Sequence, residues 1–306
     1  MLNTNELAAQ PNDAAVDRII TSKSSNEILK IIVKKVIDKY EQHSFEADDY
    51  VKTGFRDFDD KFSGLNKGSL ILLAGDYQSG KTNLICNIAS NIALKQRKTV
   101  GIMSFKYSAE QLMKSILASE SQIEMMRMDT GLLTRDDWKK LNLGIEQLLD
   151  AKILFAEPVF HTIEELLSNI EIMVTEHELE ILAIDDFPFR FCSHDLQHSM
   201  QASERFAESL RQLARKLNIP IILTAGISSR VHRRENHRPN LGDLSINGDI
   251  TRGVDTVIFL YRDVLYYPDT ESTKILELIV AKNKYRCVSK VLLNYHTDFA
   301  KLKGHL

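Results

Sequence analysis

Cysteine is scarce in this chain, net charge nearly cancels, and long apolar runs are missing; each shortage removes a class of protein. Cys86, Cys192 and Cys287 lie far apart, with no C-x-x-C pair and no histidine at ligand spacing. That fits a reducing compartment and excludes a common zinc module, so all three are expected to be buried small hydrophobic residues. No stretch of about 18 apolar residues occurs, and the first residues lack a basic, apolar, cleavable pattern. Neither a membrane span nor a signal peptide is therefore expected, and the cytoplasm is the default location. The formal net charge is -3, so a nucleic-acid partner has to rest on a local basic patch rather than on the global balance. Internal repeats and low-complexity blocks are absent too. What remains is ordinary for a globular protein: 306 residues, 43% hydrophobic and 26% charged, enough for one large or two small domains.

Residues 70–82, L-I-L-L-A-G-D-Y-Q-S-G-K-T, join an apolar strand to a glycine-lysine-threonine helix start with the spacing G-x-x-x-x-G-K-T. This is a phosphate site. Gly75 and Gly80 leave room for backbone amides to turn inward on the β- and γ-phosphates of ATP, with Ser79 and Asn83 beside them. Lys81 supplies a point charge, and the Thr82 hydroxyl is placed to ligate Mg²⁺. An apolar strand at 181–185 ends in Asp185, the usual second half of such a site, which should hold Mg²⁺ through water.

Residues 1–25 are polar and without period, as in a mobile tail. Over 26–41, Ile28, Leu29, Ile32, Val33, Val36, Ile37 and Tyr40 repeat at helical period, with Lys30, Lys34, Lys35 and Lys39 on or near the other face. This amphipathic helix is separated from the phosphate motif by the acidic, polar residues 42–50. Its apolar stripe needs a surface, on this chain or on a neighbouring subunit. Beyond residue 50, strands are expected at 70–74, 99–105, 152–156, 180–187 and 219–227, and helices at 83–95, 109–119, 135–149, 163–176 and 201–217, with Ser108 and Thr134 as caps. Alternation of this kind means a mainly parallel sheet covered on both faces. Strands at 256–261, 275–281 and 290–295, joined by short polar loops, finish it with antiparallel pairing.

Residues 50–301 resemble the C-terminal, RecA-like motor domain of the DnaB family of replicative helicases. The motifs run in order: Thr53-Gly54-Phe55-x-Asp57-Phe58-Asp59 with Gly64-Leu65-x-x-Gly68, then S-F-K-Y-S-A-E-Q-L from Ser104. Thr130-Gly131-x-Leu133 and Asp137-Trp138 follow, then Ser209-Leu210-Arg211-x-Leu213-Ala214-Arg215-x-Leu217-Asn218-x-Pro220. Arg238-Pro239, Asp243-Leu244, Gly248, Asp255 and Phe259-x-Tyr261-Arg262-Asp263 complete the match. The resemblance implies an α/β fold: a RecA-like P-loop NTPase core with a mainly parallel central sheet and antiparallel strands at the C-terminal end, preceded by an amphipathic linker helix. It divides the chain into a tail (1–25), a linker helix and connection (26–49) and an ATP-binding domain (50–306). The family's helical N-terminal domain has no counterpart in this sequence, and the helix at 26–41 would dock on the adjacent subunit of a ring.

Several positions depart from the family pattern. The glutamate that polarises the attacking water is Lys106 here, a cation that cannot accept a proton and would sooner bind the γ-phosphate anion. Asp186, next to the Mg²⁺ aspartate, is the substitute base on offer. The polar pair that senses the γ-phosphate is Ala225-Gly226, and a glutamine after the aspartate is Pro188. The lysine and arginine that reach into the next subunit's site appear as Lys282 and Lys284, the second keeping charge without the bidentate fork of an arginine finger. For single-stranded DNA the candidates are Arg230, Arg233, Arg234 and Arg238, where the family's DNA-facing loop begins, with the backbone near Gly248. Arginine and glutamate of that loop are Ser245 and Ile246.

Four functions are compatible with these residues. The first is an ATP-binding, DnaB-like, ring- or filament-forming protein of DNA replication or repair with weakened hydrolysis. The second is a fully active ATP-dependent DNA helicase in which Asp186, Lys282 and Lys284 compensate. A third is an ATP-gated structural or regulatory subunit that joins another replicative helicase or its loading step. The fourth is a RecA-fold signalling ATPase unrelated to DNA, against which the arginine-rich segment argues.

Overall fold

The computed structural model describes residues 25–41, 49–189, 196–247 and 250–305. By internal contacts the chain divides between residues 47 and 48. In the first unit, helix α1 (Ser25–Glu41) carries the expected amphipathic sequence, and Ile28, Leu29, Ile32, Val33 and Ile37 are all exposed. Of the sequence-read tail at 1–25, residues 1–24 lie outside the described residues, as does most of the connection, at 42–48; Ser25 is the first residue of α1.

In the second unit, β1 (Tyr50–Val51), α2 (Arg56–Phe62) and β2 (Leu65–Asn66) lead into β3 (Leu70–Gly75) and α3 (Lys81–Lys95). Next come β4 (Val100–Ser104), α4 (Ala109–Ser121), α5 (Met125–Thr130), α6 (Arg135–Leu149), β5 (Ile153–Ala156), α7 (Ile163–Glu176) and β6 (Ile181–Asp185). The chain continues through α8 (Leu196–Leu217), β7 (Ile221–Ala225), α9 (Ile250–Gly253), β8 (Thr256–Tyr261), β9 (Ile275–Asn283), β10 (Ser289–His296) and β11 (Lys301–Gly304). Both expected N-caps are present as full capping boxes: Ser108 with Gln111, and Thr134 with Asp137.

Nine strands form one sheet in the order β11-β10-β9-β8-β3-β7-β6-β4-β5. Pairing is parallel from β8 to β5 and antiparallel from β8 through β9 and β10 to β11, as the strand pattern implied. Alternate residues feed two cores. Ile71 and Leu73 of β3, Ile222 of β7 and Ile258 of β8 pack on one face with Ile85, Ile88 and Ile92 of α3 and Ile116 of α4. Leu70, Leu72, Leu223, Val257 and Phe259 face the other way, onto Ile170 of α7 and Phe206, Leu210 and Ala214 of α8. Burial on both faces is why the central strands read as unbroken apolar runs.

One composition-based expectation is corrected. Cys86 is buried, its thiol pushed up to about 12 by burial, but Cys287 is exposed beyond the end of β9. Cys192 lies outside the described residues.

Candidate functional site

The parallel strands end together. β3 is followed by α3, whose next strand, β4, lies beyond β7 and β6 in the sheet, so a crevice opens past the carboxyl ends of these strands. A cleft of about 730 Å³ occupies it, lined by residues 75–83, Lys106, Tyr107, Asp185, Asp186, Gly226, Ile227, Arg262, Tyr295 and Thr297.

The turn from β3 to α3 is shaped by two glycines. At Gly75 a Cβ would sit 2.5 Å from Ser79 Oγ, and Gly80 adopts φ +99° as the residue before α3. Its backbone thus holds a conformation that L side chains avoid. Lys81 Nζ donates to the carbonyls of Gly75 and Asp76 at 2.9 Å each, arching the ammonium back over the turn. Burial lowers its pKa, while Asp186, Asp185 and Asp76 support the charge. Thr82 Oγ1 donates to Asp185 Oδ2 at 2.9 Å, and Thr224 Oγ1 on β7 donates to Oδ1 at 3.1 Å. Asp185 is 1% exposed, and burial raises its carboxyl above the usual range despite these donors. Ser79 Oγ is buried without a partner. A strand-end carboxylate beside a helix-start hydroxyl, a lysine over a glycine cradle and an orphaned buried hydroxyl match the donor set a Mg²⁺-bound triphosphate requires.

Asn83 donates to the Tyr295 hydroxyl of β10. Over that ring, at 4.8 Å from its centre, lies the guanidinium of Arg262, which also donates to the Gln78 carbonyl at 3.3 Å. Arg262 is buried, its Nε has no partner, and burial lowers its pKa. Tyr295 and the cleft-facing role of Arg262 escaped sequence reasoning. Each sits at a strand far along the chain, and the Tyr261-Arg262-Asp263 motif carried no sign of where its arginine points.

Lys106 follows β4 and lines the cleft. Its ammonium stands 5.2 Å from the Tyr77 ring centre and 5.0 Å from that of Tyr107. Partial burial works against its charge, but the Tyr107 hydroxyl, Asp186 and Tyr77 outweigh it and hold the pKa above the ordinary lysine range. Asp186 is in the left-handed region at φ 56°, its amide donating to Thr224 Oγ1 at 2.7 Å, and is exposed to the cleft. Pro188 stands just past a ring cluster in which Phe187 stacks on Phe206 at 4.1 Å and meets Phe105 edge-on at 5.3 Å.

Lys282 and Lys284 are elsewhere. β9 runs antiparallel to β8 with Asn283 opposite Thr256, the first residue of β8, whereas the phosphate turn follows Gly75, opposite Leu260. At about 3.3 Å per residue the two ends are separated by well over 10 Å, so neither lysine serves the cleft of its own chain. Lys282 Nζ donates to the carbonyls of Thr251 and Val254 at 2.7 Å each. Lys284 Nζ is 3.7 Å from buried Asp255, which Arg215 also approaches at 3.6 Å.

The four arginines differ in their partners. Arg234 donates to Asp243 at 2.8 Å and to the Arg238 carbonyl at 3.1 Å. Arg238 makes a fork to Glu277 at 3.0 and 2.7 Å and lies 4.5 Å over Tyr261. Both tie the segment to other parts of the chain; Arg230, Arg233 and Arg238 are exposed. Gly248 lies outside the described residues. Among the described residues no cluster of His, Cys, Asp and Glu forms a further metal site, and no helix is long and apolar enough to cross a membrane.

Comparison with known proteins agrees with this geometry. The family model described as DnaB-like helicase C terminal domain matches residues 50–304. The replicative DNA helicase DnaB of Geobacillus stearothermophilus is 31% identical over 252 residues, covering 82% of this chain and 56% of that protein. The replicative DNA helicase DnaC of Bacillus subtilis is 30% identical, covering 91% and 62%. The chain thus spans little more than half the length of these relatives. Among solved structures, an isolated ATPase domain superposes with a TM-score of 0.81 at 21% identity, covering 94% of this chain and all of that one. A DnaB-like replicative helicase gives 0.79 at 21% identity, covering 94% and 68%. The fold is therefore RecA-like, with the mostly parallel sheet and antiparallel end described above, and the chain belongs to the DnaB-like helicase C-terminal domain family.

Proposed function

We propose that this protein binds Mg·ATP in the cleft and works as a DnaB-type subunit of a ring or filament, in DNA replication or repair, with hydrolysis weakened. The observation that carries the reading is the combination of an intact phosphate cradle with a lysine ammonium where a water-activating carboxylate would stand. Gly75, Ser79, Gly80 and Asn83 shape the triphosphate side, Lys81 neutralises it, and Thr82 with Asp185 would hold Mg²⁺. Bound Mg²⁺ would supply charge neutralisation between the β- and γ-phosphates. Arg262 and Tyr295 form the wall at the nucleoside end. Lys106, braced by two tyrosine rings, adds a cation toward the γ-phosphate but takes no proton from water.

Lys282 and Lys284, remote from their own cleft, suit a role in the site of a neighbouring subunit. In this reading residues 26–49 link subunits, 50–306 form the ATP-binding domain, and the location is cytoplasmic. A complete motor is the second reading, favoured by one observation: Asp186 reaches the cleft and has the charge a general base needs. Isothermal titration with Mg·ATP tests the site. Lys81→Ala is expected to lose most of the affinity, and equal affinity in wild type and variant would remove the assignment.

A further inference from the structure

Asp76, the second residue of the phosphate turn, has a side chain that leads out of the cleft. One carboxylate oxygen accepts from the Tyr77 amide at 2.8 Å. The other accepts from the Tyr266 hydroxyl at 3.0 Å and lies 2.7 Å from His232 Nε2. Tyr266 follows β8 in a short turn, and His232 sits in the 3-10 turn Ser229–Arg233 that carries Arg230 and Arg233. A second set of contacts runs alongside. The His237 ring stacks on Tyr266 at 4.8 Å and 16°, and Tyr266 stacks on Tyr261 at 5.4 Å and 9°. Arg238, forked to Glu277, covers the Tyr261 ring. The arginine-bearing segment is thus joined to the phosphate turn by side chains, through the same Asp76 carboxylate that supports the Lys81 charge.

A carboxylate in a loop that receives a triphosphate opposes it, because like charges at close range repel strongly in a partly buried site. The donors from Tyr266 and His232 offset that repulsion. An anion entering the cradle makes their hold on Asp76 more favourable, and the hold in turn makes the anion less costly. We propose that Asp76, His232 and Tyr266 form a link through which occupancy of the phosphate turn sets the position of the segment bearing Arg230 and Arg233. The three are positioning residues. The link runs around Ala225-Gly226, where this chain lacks the polar side chains by which, on the resemblance, a γ-phosphate would be sensed. Coupling is reciprocal: whatever anionic ligand Arg230 and Arg233 engage changes nucleotide affinity by the same factor.

This inference rests on nucleotide binding in the cleft, so its test reads the two separately. Calorimetry with Mg·ATPγS on the full chain reports the site; hydrogen exchange of the amides at 229–238, with and without saturating nucleotide, reports the link. In wild type, nucleotide is expected to slow exchange there by about fivefold or more, the low end of ordinary coupling factors. In the double variant His232→Ala, Tyr266→Phe the nucleotide still binds and the slowing disappears. Tyr266→Phe alone keeps the ring in its stack and is expected to fall between the two. Exchange that is the same in free and saturated wild type, or slowed equally in the double variant, overturns the link while leaving the site in place. A wild type that binds no nucleotide defeats both together.

Discussion

Arg230 and Arg238 belong to one basic run, yet they meet different surroundings. Glu277 is buried and takes both arms of the Arg238 fork, with Lys290 at 3.4 Å as a further neighbour. Removing the fork leaves a buried carboxylate short of donors, which typically costs about 1–3 kcal/mol. Arg238→Ala is therefore expected to lower the unfolding free energy by an amount in that range, seen as a lower denaturant midpoint at unchanged slope, whereas exposed Arg230→Ala leaves it unchanged; equal midpoints for the two variants would deny Arg238 its structural role. Sequence alone could not separate these arginines, because the partner that sets Arg238 apart, Glu277, is remote in the chain, on β9. The phosphate residues were legible for the opposite reason. Gly75, Gly80, Lys81 and Thr82 are close in sequence, and their backbone geometry is dictated locally. Asp185 was legible as a carboxylate at the end of an apolar run. Arg262 and Tyr295 were not, since only the antiparallel end of the sheet carries them to the cleft.

Among the elements, those with local signals were found and those with tertiary causes were missed. α6 and α7 run over the expected residues because Thr134 and Thr162 cap them and their apolar faces repeat at helical period. α2 was not among the expected helices. It has no side-chain cap, and its start is fixed by Asp59, which accepts from the Thr53 amide and hydroxyl at 2.8 Å each. Edge strand β11 was missed because its four residues alternate weakly and form a strand by pairing with β10. α1 was legible from period alone, and its exposed isoleucines and leucine need cover. Deleting residues 1–45 is expected to dissociate oligomers while leaving a folded ATP-binding domain, as sedimentation velocity and circular dichroism would report. The same assembly state before and after truncation would show that the helix does not link subunits.

At the scale of the whole molecule, one sheet carries two sets of charge at opposite ends. The carboxyl ends of β3, β6 and β7 gather the phosphate turn, Asp185 and Thr224, while the far end of β9 presents Lys282 and Lys284 away from them. On the proposed function, a subunit built this way would draw part of its site from a neighbour, as in a ring. In the proposed reading the neighbour's contribution is a lysine instead of a bidentate arginine, and such a finger can be worth about 10³ to 10⁵ in rate. The same reading has the chain's own contribution weakened as well, at Lys106 and at Ala225-Gly226. The central claim, binding without efficient hydrolysis, is tested most directly by steady-state ATPase of wild type and Lys106→Glu, with and without single-stranded DNA. General-base assistance typically supplies about 10² to 10⁴ in rate, so wild type is expected to turn over slowly or not at all and Lys106→Glu faster, with only partial recovery. A wild-type rate strongly stimulated by single-stranded DNA, abolished by Asp186→Asn and indifferent to Lys106→Glu, would contradict the account and make Asp186 the base of a working motor.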